Sequence, residues 1–238
     1  MNSTAVNRAI RALAWPLLRD RGFTSFTSRT AWRDREQLID VINFQSFNRY
    51  NADVLGCTTF SFAVNFSIYL ADLPSDHPPA IRNNRLRPAE YQGHVRRRLR
   101  PTHPRLSKAK DIWLVDEDEH NAENVVAEAA ITLADAADSW FVAFGSPREV
   151  LSVLRGVTPP PDEATWLPGG PDSAARNTAI GYLALALGER SMAEGHLRRA
   201  LEQYREFDSQ NAKISRRFDK MTPRHLEDAV AMLSRESA

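Results

Sequence analysis

The sequence predicts an α+β protein. It should have an antiparallel sheet of about four or five strands, covered by helices on one face and followed by a small C-terminal helical hairpin or bundle. Three observations carry this. Residues 58–68 read TTFSFAVNFSI, in which Phe60, Phe62, Val64, Phe66 and Ile68 alternate with Thr59, Ser61, Ala63, Asn65 and Ser67. A period of two means a strand with one apolar face and one small, polar face. Apolar residues at helical spacing bracket that strand, in 4–21 and in 121–139. Beyond the proline- and glycine-rich stretch 158–172 only helical periodicity remains.

The first helix, residues 4–21, is read from Val6, Ile10, Leu13, Leu17 and Leu18, with Gly22 placed for a left-handed C-terminal cap. Pro16 costs about 3 kcal/mol in a helix interior and predicts a kink or an early end near Trp15. Two strands follow, 23–32 and 38–47, joined by a charged turn at 33–36. Leu38, Ile42 and Phe44 fall on one face of the second, and Ile39 and Val41 on the other with Asn43 and Gln45. Apolar groups on both faces predict a central strand. Residues 48–56 read as a loop before the alternating strand 58–70, which should dominate the core. Burying its five bulky side chains is worth on the order of 10 kcal/mol gross.

Six prolines and a basic bias mark 71–110, with short strands expected at 91–99 and 111–115. Asn121 is placed to cap the next helix, whose stripe is Val126, Ala130, Leu133, Ala137 and Trp140. Ser146-Pro147-Arg148-Glu149 is a capping box with proline at the first helical position, opening a helix that ends at Gly156. Residues 157–171 read as a semi-rigid linker between a sheet domain, 1–156, and a helical segment, 172–238. Asp172 or Ser173 caps a helix closed by Gly188, Ser191 and Glu194 form a second capping box opening a helix to about residue 209, and Thr222-Pro223 opens the last.

The 238 residues are 42% hydrophobic and 26% charged with a formal net charge of +1, so no global field drives the chain onto nucleic acid or a membrane surface. The single cysteine, Cys57, excludes an internal disulfide. The run 9–18 is broken by Arg11 and Pro16 and makes a poor signal peptide. With no apolar run of membrane-spanning length, the expected location is the cytoplasm.

Several segments occur in a recognisable order: LLRDRGF, SRTAWR, VINFQSFN and TTFSFAVNFSI between residues 17 and 68, then HVRRRL at 94–99 and DIWLVDED at 111–118. In this order, over roughly residues 5–155, the chain resembles an uncharacterised bacterial family, domain of unknown function 4304. The resemblance implies an α+β fold and assigns no activity or catalytic residue. A second resemblance, to one tetratricopeptide unit, rests on Gly188, Ala193, Leu197, Ala200 and Leu201. A single unit leaves its own face unburied, so it should pack on the last helix or on the sheet domain.

Two residue sets are candidate sites. Arg96, Arg97, Arg98 and Arg100, followed by Arg105, Lys108 and Lys110, could hold phosphate, with Tyr91 and Trp113 as stacking partners. The plainer reading is a charged edge strand, neutralised by Asp116–Glu119. Asn43, Gln45 and Asn65, with Arg29, place polar side chains on strands, where they need partners or water. Neighbouring strands would gather them into a ligand-binding patch or a structural network.

No cofactor or metal site is expected. The six histidines lack metal spacing, and the acidic run 116–119 lacks the alternation and glycine of a calcium loop. Cys57 has no histidine near it in sequence, and Gly169-Gly170 lacks the lysine of a nucleotide loop. The composite expectation is a non-enzymatic protein-binding module of immunity or scaffold type, its partner another protein. The alternatives are a nucleic-acid binder using 94–110 and an enzyme with its site on the polar sheet face.

Overall fold

A computed structural model describes residues 4–101, 110–214 and 220–236. The chain opens with one long helical rod in three parts: α1 (Thr4–Ala9), a π-helical turn (Ile10–Ala14) and α2 (Trp15–Arg19). The π turn is the answer to Pro16. A proline ring clashes with the carbonyl four residues back and brings no N–H. Widening the turn lets the Trp15 N–H reach the Ile10 carbonyl instead, so the rod continues without a break. Gly22 closes it at φ 82°, with the Phe23 N–H on the Leu18 carbonyl and the Gly22 N–H on the Arg19 carbonyl.

Among the described residues six strands form the main antiparallel sheet, in the order β1 (Ser25–Phe26), β2 (Thr30–Asp34), β3 (Leu38–Ser46), β4 (Phe62–Leu70), β7 (Val95–Leu99) and β8 (Thr165–Trp166). The expected strand 23–32 is a hairpin of two strands. Thr27 Oγ1 accepts from the N–H groups of Arg29 and Thr30 and turns the chain there. Residues 48–56, expected as a loop, hold the short helix α3 (Arg49–Leu55). Asn48 caps its start by accepting from the Asn51 N–H, and Gly56 ends it at φ 68°. Thr58 and Ser61 make a turn that delays β4 to Phe62, leaving Phe60 outside the strand but packed against the core. The strand expected at 111–115 is reduced to one bridge, between Trp113 and Phe62.

The apolar face of the sheet meets the N-terminal rod and α4 (Ala122–Val142). Phe62, Val64, Phe66 and Ile68 are fully buried there, and Phe66 stacks on Phe141 with 5.5 Å between ring centres. Asn121 does not cap α4. Its side chain instead takes the Asp116 N–H and donates to the Leu114 carbonyl, tying the preceding loop. Then come α5 (Pro147–Leu154), capped by Ser146, and α6 (Ala174–Ala186), capped by Ser173. The pair α7 (Arg190–Ile214) and α8 (Arg224–Glu236) completes the chain. α7 starts one residue before Ser191, so that serine lies inside the helix rather than capping it, and the helix runs five residues past the expected end.

β4 departs from its expected half-polar character: all nine of its residues are buried. Its second face has two covers. One is a hairpin, β5 (Ala80–Arg82) and β6 (Arg85–Arg87), turned by Asn83 and Asn84 at φ 50° and 57°. Leu86 of this hairpin packs on Trp32, Ile39, Val41 and Tyr69. A single 3-10 turn, Glu90–Gln92, follows it over the sheet. The other cover is α3 with residues 112–114, where Phe47, Ala52, Ala63 and Ile112 form a second small core. Residues 157–171 carry β8, so the stretch read as a linker supplies the last strand of the sheet. β7 is therefore paired on both sides, not an edge.

Candidate functional site: a polar cleft on the second sheet face

Beneath the hairpin and the 3-10 turn the sheet floor stays open as a cleft of about 650 Å³. Its position follows from register. Asn43 sits opposite both Thr30 and Asn65, Asn65 opposite Arg98, and Ser67 opposite Arg96. Side chains alternate faces along a strand, so Thr30, Asn43, Asn65, Arg96 and Arg98 all point away from the helices. Gln45, Trp32, Arg82, Arg87, Tyr91 and Gln92 complete the lining that matters here.

The floor is a fixed network. Asn65 Nδ2 donates to Gln45 Oε1 at 3.0 Å, and Arg98 donates from Nε to Asn65 Oδ1 at 2.9 Å and from Nη2 to Gln45 Oε1 at 2.8 Å. Arg98 Nη1 is held by Asp111 at 3.0 Å. Asn65 is thus satisfied at both ends of its amide, which is what allows an asparagine to be 2% exposed. Asn43 Nδ2 donates to Thr30 Oγ1 at 2.9 Å. Among the described residues the Oδ1 of Asn43 and the Nε2 of Gln45 have no hydrogen-bond partner and face the cleft.

Arg96 reaches the same space differently. Its Nε donates to Glu90 Oε1 at 2.8 Å, and its guanidinium carbon lies 5.7 Å from the centre of the Trp166 ring. On its far side a smaller hollow of about 260 Å³ is lined by Tyr91, Gly93, His94, Trp166, Leu167 and Pro168 together with Arg96. Tyr91 is 73% exposed and Trp166 57% exposed. His94, beneath them, receives the Leu70 N–H on Nδ1 at 3.0 Å. Burial lowers its pKa to about 4, so the ring is neutral near pH 7.

The remaining candidates lie elsewhere. Arg29 leaves the cleft entirely: its Nε donates to Asn7 Oδ1 at 2.6 Å on the helical side, and burial lowers its pKa to about 10 despite Glu119. The arginine run is divided by the pleat. Arg97 faces the helices, over the Phe66 ring and paired with Asp162 at 2.8 Å, and exposed Arg100 lies 3.8 Å from Glu163. Each of the four arginines therefore has a carboxylate within 4 Å. Trp113, expected as a stacking partner, is buried. Lys110 is exposed, and Arg105 and Lys108 lie outside the described residues. Burial pushes the Cys57 thiol pKa up, away from thiolate chemistry. Among the described residues no three metal-ligating side chains cluster. No helix of the described residues is long and apolar enough to cross a membrane.

Sequence reasoning missed Trp166, Arg82 and Glu90. Trp166 was hidden in a stretch whose prolines and glycines signal a linker. Arg82 and Glu90 depend on the β5–β6 hairpin, whose one local signal is Asn83-Asn84 between alternating residues.

An antiparallel sheet with helices on one face and an inserted hairpin roofing a polar cleft on the other defines an α+β protein with a candidate recess on its second sheet face. The family model for a domain of unknown function, DUF4304, matches residues 13–143, more than half the chain, and the protein belongs to that family. No curated protein and no solved structure matches it.

Proposed function

We propose that the protein is a non-enzymatic, cytoplasmic interaction module that docks a partner protein on the rim made by Tyr91, Arg96 and Trp166. The observation that carries this is the exposure of two large aromatic rings that line one hollow together with an arginine. Tyrosine, tryptophan and arginine are the residues that concentrate binding energy in protein interfaces. Both rings stand on backbone that is already fixed, Trp166 by pairing with β7 and Tyr91 by the 3-10 turn, so little ordering remains to be done on binding.

The test is capture from the native host on immobilised full-length protein. One stoichiometric protein should be retained by the wild type and by Ile131→Ala, a change on the exposed side of α4, and lost by Tyr91→Ala combined with Trp166→Ala. Equal retention by the double variant, or no protein retained across conditions, would overturn the reading.

A nucleic-acid role is the second reading, because Tyr91 and Trp166 could stack on bases. The carboxylates beside Arg96, Arg97, Arg98 and Arg100 argue against it. Steeply salt-dependent affinity for single-stranded RNA or DNA, abolished by replacing Arg96–Arg98, would make it the better account.

A further inference from the structure

We propose that the cleft on the second sheet face binds a small ligand through an oxyanion, a carboxylate or a phosphate, seated on the outer edge of the Arg96 guanidinium. This site is on the cleft side of Arg96 and does not depend on a protein partner at the rim.

The argument begins with how Arg96 is held. A guanidinium has five N–H donors in a planar fork. Glu90 takes the one on Nε, the only donor of Arg96 with a hydrogen-bond partner among the described residues. The Glu90 carboxylate is 10% exposed and Arg96 is 30% exposed, so the pair is largely shielded from water while the fork keeps an open edge. Trp166 packs within cation–π range of the guanidinium. One edge is clamped and one side is packed, which leaves the Nη1–Nη2 pair to present two parallel donors. That is the geometry of a bidentate carboxylate or phosphate contact. The side chain is ordered in advance, so binding does not have to overcome its rotamer entropy.

The rest of the cleft fits such a ligand. Arg98 lies two residues along the same face of β7, about 7 Å away by strand geometry. It is fixed by Asn65, Gln45 and Asp111 and contributes charge without reorganising. Arg82, on the roof, is exposed and has no carboxylate partner among the described residues. Gln45 Nε2 and Asn43 Oδ1 offer a donor and an acceptor to a neutral polar part of the ligand. The volume of about 650 Å³ is within the range of small-molecule sites.

The experiment is an NMR titration of the full-length chain, following amide, tryptophan indole and arginine Nε–H signals at constant ionic strength. The probes are inorganic phosphate, citrate and a nucleoside monophosphate, with chloride as the control. At least one probe should give saturable shifts centred on Arg96, the Trp166 indole, Gln45 and Tyr91. Arg96→Lys, which keeps the charge but loses the fork, should weaken that probe at least tenfold. Arg148→Gln, at a surface pair with Glu189, should leave it unchanged. Absence of saturable shifts with every probe, shifts centred elsewhere in the wild type, or equal affinity in Arg96→Lys would overturn the proposal.

Discussion

His94 and Asp40 are the two residues whose charge state is most tightly written into the structure. His94 is neutral because burial disfavours its charged form; its Nδ1 accepts from the Leu70 N–H and its ring packs 5.0 Å from Tyr69. The ordinary histidine pKa near 6.5 is restored on unfolding, against about 4 in the folded protein. Between those values the unfolded chain binds more protons, so stability falls as pH drops through 6.5 and levels off below 4. Some solvent contact moderates the effect, and the expected loss is about 2 kcal/mol. His196 and His225 are also lowered by burial and act in the same direction. Urea midpoints of wild type and His94→Asn, compared from pH 7 to pH 4, isolate the contribution of His94. The variant keeps an acceptor and should show a shallower decline. Parallel curves would rule out this role. Asp40 is fully buried on the helical face of β3, where Arg33 Nε and Arg35 Nη2 both donate to its carboxylate. Burial raises its pKa against the pull of those two arginines. Removing one member of such a group leaves buried charge uncompensated, so Asp40→Asn should cost about 3 kcal/mol by chemical denaturation. A cost below about 1 kcal/mol would mean that the arginines simply turn to water.

At the scale of elements, several helix ends and the central strands were legible because their signals are local, whereas Asn121 and Ser191 do not hold the caps expected of them. Gly22, Ser146, Ser173 and Gly188 each hold the cap that their residue type implies. Of the polar set, the sequence says only that Asn43 or Gln45 could fall beside Asn65 if strands β3 and β4 were neighbours; the register puts Asn43 opposite Asn65 and Gln45 bonds to it, while Arg29, read with them, lies on the helical side. The covers of the second face were not legible. Strand periodicity says that β4 alternates small and large side chains, but it cannot say whether the small side is wet. Here Ser67 is small because the 3-10 turn and Gly93 lie directly on it. Gly93 shows how closely: a Cβ there would stand 2.3 Å from the Ser67 Cβ and 2.6 Å from its Oγ. Its φ of −64° is open to any residue, so the requirement is space and not conformation. Gly93→Ala should therefore lift the 3-10 turn off β4 and cost about 1–3 kcal/mol. Ser67→Gly in the same chain should recover most of that loss, because it removes both clashing atoms. Thermal melts of the two single variants and the double variant give the coupling, and additive losses would show that the two residues are not in contact.

The whole molecule turns on how residues 157–238 join the sheet. Composition reads 157–171 as a linker because proline and glycine dominate it, and local composition has no access to the two residues that pair with β7. Those two are fixed from both sides. Trp140 Nε1 donates to Thr165 Oγ1 at 3.0 Å, and Arg97 pairs with Asp162. Arg176 then staples α6 back onto the sheet side, donating to the carbonyls of Leu154, Pro168 and Gly169. The apolar core is accordingly continuous, from Val6 through the sheet and α4 to Leu226 and Leu233 on α8. Within it α6 and α7 cross so closely that a Cβ on Gly181 would meet Leu197 Cγ at 2.5 Å. Elements that share one core lose their contacts together, which predicts a single cooperative transition for the full chain. The sequence supplies its own reporters: all five tryptophans precede residue 172, while α6, α7 and α8 contribute a large share of the helix. Tryptophan fluorescence and the helical circular-dichroism signal should therefore give the same urea midpoint and slope. Helix that melts in a separate step from the fluorescence change would show that residues 172–238 fold as a unit of their own, and that β8 and Arg176 tether the two parts without coupling them.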